Sequence, residues 1–203
     1  RGSNGTPGED YATFIASDFV WEGEQAGNWI ANACKEKGIE DAVHAVASVN
    51  ETLGYTAYTL DIYGQVDSGQ TEWFEQLMKA APCEVQYKGS VAYDQSVAVI
   101  KNYFALLFPT QYFTEGIPGT IIDAYAAGVP VISSKWAGFS DVIHEGITGV
   151  GYSFGALNEL VEVLIRLVDN PQTMIEMKKS CLEESKKYEL ETVVRDLLNH
   201  LKV

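Results

Sequence analysis

The sequence predicts an α/β domain, with a doubly wound, mostly parallel sheet and helices on both faces. Two observations carry that prediction. Short, near-continuous apolar runs rich in β-branched and aromatic residues alternate with longer segments whose apolar residues recur at helical spacing. The runs from residue 58 onward are closed by glycine, proline or serine, and the alternation reads as βαβ units with right-handed crossovers.

Taken in order, the first ten residues, "RGSNGTPGED", are Gly-, Ser- and Pro-containing and read as a cloning remnant plus a flexible lead-in (1–10), leaving 11–203 as the domain. "YATFIASDFV" (11–20) reads as a strand. "EGEQAGNWIANACKEKG" (22–38) fits either a helix or a loop followed by a short strand around residues 29–32. "GIEDAVHAVASVNETLG" (38–54) places Ile39, Val43 and Val46 on one helical face, with Val49 next on the same spacing. "YTLDIYG" (58–64) and "CEVQYKG" (83–89) are strands ended by Gly64 and Gly89, with a helix over 68–82 between them. A further helix, "YDQSVAVIKNY" (93–103), leads to the apolar strands "YFALLFP" (103–109) and "VPVISS" (129–134). The tail from Ala156 reads as three consecutive helices, the first broken from the second at Asn170-Pro171.

The totals narrow the function. A chain of 203 residues with 46% hydrophobic content is slightly more than one typical domain and can fill a core. The net charge of −14 disfavours nucleic acid and anionic lipid as partners. No apolar run approaches the roughly 20 residues of a membrane-spanning helix. Cys34, Cys83 and Cys181 are widely spaced, odd in number and free of metal-ligand patterns, as expected of a reducing cytoplasm.

One stretch carries chemistry. In "TEGIPGTIIDAYAAGVPVI" (114–132) a loop with an acid and two glycines runs into a helix bearing a second acid and then into a buried strand. Ligands of doubly wound sheets sit outside the carboxyl ends of the strands, where the chain following "YFALLFP" emerges. Pro118 suits a first helical turn, and the small residue Gly119 lets the backbone N–H groups of Gly119, Thr120 and Ile121 approach a phosphate at a helix N-terminus. Glu115 ahead of the helix and Asp123 about one turn inside it can then accept charged hydrogen bonds from hydroxyls on either side of a diphosphate. The plainer alternative is a solvated loop acid, Glu115, and a first-turn acid, Asp123, complementing the helix dipole.

The stretch "FPTQYFTEGIPGTIIDAYAAGVPVISSKWAGFSDVIHEGITG" resembles the donor-binding half of the family 4 (group 1) glycosyltransferases of the GT-B fold. Glu115 and Asp123 have the spacing of that family's E-x7-E signature, with Asp in place of the second Glu. "AYAAGVPVI" (124–132) matches the element after it, and "GFSDVIHEGITG" (138–149) the next, with Asp141 where the family usually has Glu. "KEKGIEDAV" (35–43) resembles the phosphate-binding segment.

The resemblance, over roughly 28–203, implies a nucleotide diphosphate sugar as donor substrate, retention of anomeric configuration, and neither cofactor nor essential metal. It implies that Glu115, the residue assigned to catalysis, holds hydroxyls of the transferred sugar, Asp123 the nucleotide ribose and Lys37 the diphosphate. The backbone of Gly116, Ile117, Pro118, Gly119 and Thr120 would line the donor site, and "YKGSV" (87–91) would lie near the base. The family has Arg five residues before that Lys; this chain has Asn32, which cannot supply a charged fork. GT-B enzymes have two such domains, so an N-terminal domain binding a glycan or lipid-linked acceptor is expected to be absent, leaving a piece that binds donor without turnover. The implied setting is glycan biosynthesis in the cytoplasm, with the inner face of the membrane open to the full-length protein. A non-catalytic GT-B-like interaction domain and a nucleotide-sugar epimerase are the rival readings. His44, His144 and His200 read as surface or packing residues, and Trp29, Trp73 and Trp136 as packing residues, with a pocket wall the alternative for Trp136.

Overall fold

A computed structural model describes residues 12–16 and 38–201. Six strands form one sheet in the order β3-β2-β1-β4-β5-β6, and every pairing is parallel. The strands are β1 (Ala12–Ala16), β2 (Thr59–Tyr63), β3 (Val85–Gly89), β4 (Ala105–Phe108), β5 (Val131–Ser134) and β6 (Gly149–Tyr152). This is the order of a dinucleotide-binding sheet, and the expected doubly wound architecture is present. The strand order reverses at the β1–β4 pair, with β2 and β3 added on one side and β5 and β6 on the other, which makes the carboxyl ends of those two strands the switch point where ligands of such folds sit.

The helices are α1 (Ile39–Leu53), α2 (Thr71–Ala80), α3 (Ser96–Ile100), α4 (Gly119–Ala126), α5 (Phe139–Val142), α6 (Leu157–Asp169), α7 (Gln172–Ser185) and α8 (Leu190–Leu201). They cover both faces. One cluster joins α1, α2 and α6 to β2, β4 and β5 through residues such as Val43, Val46, Leu60, Phe74, Leu107, Ile132 and Leu164. The other joins α3, α4 and α5 to the opposite face through Ile100, Leu106, Ile121, Tyr125, Val131 and Phe139. α7 serves both, with Met174 and Met177 in the first cluster and Cys181 in the second. All four residues expected on the inner face of α1 are buried. The three-helix tail is also as expected, with Pro171 as N-cap of α7.

Three sequence expectations needed adjustment. The helix read over 93–103 is a 3-10 turn, Tyr93–Gln95, followed by only five α-helical residues. β6 was not expected from its sequence, "GVGY", because two glycines give it little strand propensity. Close approach explains it: a side chain on Gly149 would begin 2.3 Å from the Val131 carbonyl oxygen, so only glycine lets β6 lie there beside β5. Pro118 is the extended N-cap of α4, one position before the first helical turn in which it was expected.

Candidate active site

The loop that follows β4 at the switch point is pinned by its neighbours. Ser133 Oγ donates to the Phe108 carbonyl at 2.7 Å, and Ser134 Oγ donates to the buried Thr110 carbonyl. Gln111 Nε2 donates to Asp41 Oδ2 in the first turn of α1 at 2.8 Å. The Ala137 N–H donates to the Phe113 carbonyl at 2.9 Å, tying the loop to the turn after β5. Gly38, at the start of α1, packs directly on this loop. Its φ is +71°, and a side chain there would begin 1.8 Å from the Pro109 carbonyl oxygen. Glycine is therefore required both for the left-handed conformation and for the approach. The consequence is that the entry to α1 and the loop after β4 meet backbone to backbone.

Within the loop, Thr110 Oγ1 accepts from the Tyr112 N–H at 3.1 Å and donates to Glu115 Oε2 at 3.3 Å. The Glu115 N–H donates to the Tyr112 carbonyl at 3.2 Å. Glu115 is thus half-buried with its carboxylate held, rather than a solvated loop acid. Gly116 and Ile117 are exposed after it, Ile117 to 61%.

At the start of α4, the Ile121 and Ile122 N–H groups donate to the Pro118 carbonyl at 3.0 and 3.4 Å. Ile121, expected to be one of three phosphate donors, is therefore already used. Gly119 and Thr120 lead the helix, and the leading N–H groups of any α-helix have no partner within it. No side chain caps this end. Asp123 is the fifth helical residue and α4 has no acid in its first turn, so the dipole-complementing alternative does not hold for it. Its carboxylate Oδ2 instead accepts from Ser96 Oγ, the first residue of α3, at 2.6 Å.

Glu115, Gly116, Ile117, Pro118, Gly119, Thr120 and Asp123 therefore form one loop-and-helix unit at the carboxyl edge. Lys37 and Asn32 lie outside the described residues, although Gly38, next to Lys37 in the sequence, is placed on Pro109. "YKGSV" also reaches the carboxyl edge. Tyr87 Oη donates to the Gly64 carbonyl at 2.7 Å, and the Gly64 N–H donates to the Gly89 carbonyl at 3.0 Å. His144 is peripheral, its Nε2 3.3 Å from Glu184 Oε1. Trp136 is 3% exposed, edge-on to Phe108 and Phe139. Sequence reasoning missed Ser96, Thr110 and the paired serines of β5. The only local signal was two polar residues, Ser133 and Ser134, ending a strand that is buried on both faces. Among the described residues no group of three or more His, Cys, Asp or Glu side chains is arranged to hold a metal, and no helix is long and apolar enough to cross a membrane.

A model of the glycosyl transferases group 1 family matches residues 29–188, most of the chain and the whole of this unit. The chain belongs to the group 1 glycosyl transferases. Glycogen synthase of Mycobacterium tuberculosis (strain CDC 1551 / Oshkosh) is 25% identical over 138 residues, which are 67% of this chain and 32% of that protein. The chain therefore spans about a third of that relative's length. Among solved structures, Anabaena HepE in complex with UDP and glucose superposes with a TM-score of 0.76 at 15% identity, over 95% of this chain and 48% of HepE. The C-terminal domain of a group 1 glycosyl transferase from Francisella tularensis, LpcC, superposes with a TM-score of 0.68 at 13% identity, over 89% of this chain and 87% of that domain. These likenesses show the fold, the Rossmann-like half of a GT-B glycosyltransferase.

Proposed function

We propose that residues 11–203 are the nucleotide-sugar-binding domain of a retaining, hexosyltransferase-type enzyme of glycan biosynthesis. The carrying observation is the pair of held carboxylates, Glu115 ahead of α4 and Asp123 in its second turn, on either side in sequence of an uncapped helix N-terminus at the switch point where Gly119 is exposed. A diphosphate favours such a helix end, and carboxylates favour vicinal hydroxyls. The HepE complex with UDP and glucose supports the same reading by similarity of fold.

In this reading Glu115 accepts from hydroxyls of the transferred sugar and Asp123 from the ribose. Gly116, Ile117, Pro118, Gly119 and Thr120 supply the wall and leading N–H groups around the diphosphate, and Lys37 supplies its positive charge. Asn32 contributes only neutral hydrogen bonds. In transfer, the bond from the anomeric carbon to the diphosphate breaks and one to an acceptor hydroxyl oxygen forms. The leaving diphosphate takes up the electron pair, stabilised by the helix terminus and Lys37, and the acceptor proton passes to it or to solvent. The acceptor, a glycan or lipid-linked sugar, would be held by an N-terminal domain outside these residues, so the isolated chain is expected to bind donor without transfer. The location proposed is the cytoplasm, including the inner membrane face.

The second reading, a domain without catalysis, has one observation in its favour: the Ser96–Asp123 bond gives Asp123 a role between helices without any ligand. Calorimetric titration with UDP-, GDP- and ADP-glucose separates the two. Saturable binding of at least one supports the donor site; heats no greater than dilution with all three would favour the non-catalytic domain.

A further inference from the structure

Trp136 presents a chemical problem. Its indole Nε1–H is buried and has no hydrogen-bond partner among the described residues. Buried indole N–H groups nearly always find an acceptor, because leaving one unmade forfeits its hydration with nothing in return. The ring cannot turn away easily, since it is wedged edge-on between Phe108 at 5.9 Å and Phe139 at 5.7 Å, centroid to centroid. The question is which acceptor it serves.

Gly138 gives the answer. A methyl group built on Gly138 would lie 3.1 Å from Trp136 Nε1 and 3.7 Å from the main-chain carbonyl oxygen of Glu115. The orphan donor and that carbonyl thus border one small space, open because residue 138 has no side chain. The loop bearing Glu115 is already fastened nearby through the Ala137 N–H to Phe113 carbonyl bond, whereas Gly116 and Ile117 beyond Glu115 are exposed. A short movement of the Glu115 main chain toward Gly138 would complete the bond.

We propose that Trp136 is a positioning residue for Glu115: with donor bound, the Glu115 main-chain carbonyl closes over Gly138 and accepts the Trp136 Nε1–H, fixing the Glu115 carboxylate against the sugar. The inference rests on the donor-binding reading of the loop. It assigns Trp136 and Gly138 a part that packing alone would not, since a packing role needs the ring and not its N–H.

Two measurements on the whole chain test it. In 15N-labelled protein, the Trp136 indole resonance, identified by its disappearance in Trp136→Phe, is expected to move downfield when UDP-, GDP- or ADP-glucose binds, as hydrogen bonding requires. In calorimetry, Trp136→Phe keeps an aromatic six-membered ring and loses the donor, and Gly138→Ala keeps the donor and fills the space. Each is expected to weaken the bound sugar nucleotide by about five- to tenfold, and the bare nucleoside diphosphate by less than about twofold. A wild-type resonance that does not move on saturation, or variants with wild-type affinity, overturns the proposal while leaving the donor site standing. Equal weakening toward sugar nucleotide and bare nucleotide also overturns it, by reducing Trp136 to packing. Failure of the wild type to bind any of the three overturns the donor site itself, and this proposal with it. If either variant unfolds, the wild-type resonance still decides.

Discussion

Ser96 and Asp123 join two helices across the candidate site: Ser96 Oγ, at the first residue of α3, donates to Asp123 Oδ2 in the second turn of α4 at 2.6 Å. Neither helix is long, and α3 has only five residues. The bond therefore fixes where the Asp123 carboxylate stands relative to the α4 N-terminus. A carboxylate already oriented by a neighbour loses less freedom on binding a ligand.

Asp123→Ala is expected to weaken nucleotide binding by roughly one to two powers of ten, because a charged hydrogen bond contributes about 1.5–3 kcal/mol. Ser96→Ala should cost less, about three- to tenfold, since it leaves the carboxylate in place but unheld. The double variant should lose less than the product of the two, as residues in contact do not act independently. Titration of all four proteins with UDP and its glucose conjugate measures this. Lowered melting temperatures with unchanged affinities would make the bond a helix tie only.

Glu115→Ala is expected to reduce affinity for a sugar nucleotide by about tenfold while changing bare nucleoside diphosphate by less than about twofold, since its proposed partner is the sugar. The same titrations read this contrast. Equal losses for both ligands would remove the sugar assignment.

Gly38→Ala is expected to destabilise the fold by about 2–4 kcal/mol. The left-handed φ of +71° costs an alanine about 1–2 kcal/mol, and the contact with the Pro109 carbonyl forces a backbone shift. Urea denaturation provides the number. A loss under about 0.5 kcal/mol would show that the entry to α1 does not sit against Pro109.

Stability is expected to fall in alkali. Burial pushes the Cys181 thiol from its ordinary 9.0 up to about 12. Burial also raises the Tyr125 and Tyr152 phenols from 10.0. The Tyr103 phenol is raised too, first by burial and then by its hydrogen bonds to Tyr63 and Asp61. All four fold as neutral, protonated groups whose pKa is higher than in the unfolded chain. The Cys181 contribution is therefore complete below about pH 9 and is lost as pH climbs toward about 12, and that of the three tyrosines starts to be lost above about pH 10, each group removing at most about 1.4 kcal/mol per pH unit. Chemical denaturation at pH 7, 9 and 10.5 should give a flat interval and then a decline. A thiol reagent at pH 8 should modify the exposed Cys83 and spare Cys181 until the chain unfolds.

The sequence by itself determined the parts and their chemistry. Apolar runs such as "ALLF" and "VPVI" are suited to burial on both faces, and helical spacing at Ile39, Val43, Val46 and Val49 to facing a core. The Glu115-to-Asp123 spacing, with Pro118 and Gly119 between, is local, so loop and helix could be read together and matched to a family. Only the tertiary structure decided who meets whom. The strand order, the contact of Gly38 with Pro109, the Ser96–Asp123 bond and the facing of Trp136 Nε1 and the Glu115 carbonyl across Gly138 all join residues from different βα units. The physical reason is that propensity and periodicity act over one turn or one pleat, whereas these contacts arise when separate apolar faces pack. β6 marks the boundary between the two: "GVGY" is a poor strand on its own, and becomes one because the missing side chain of Gly149 lets it lie against Val131.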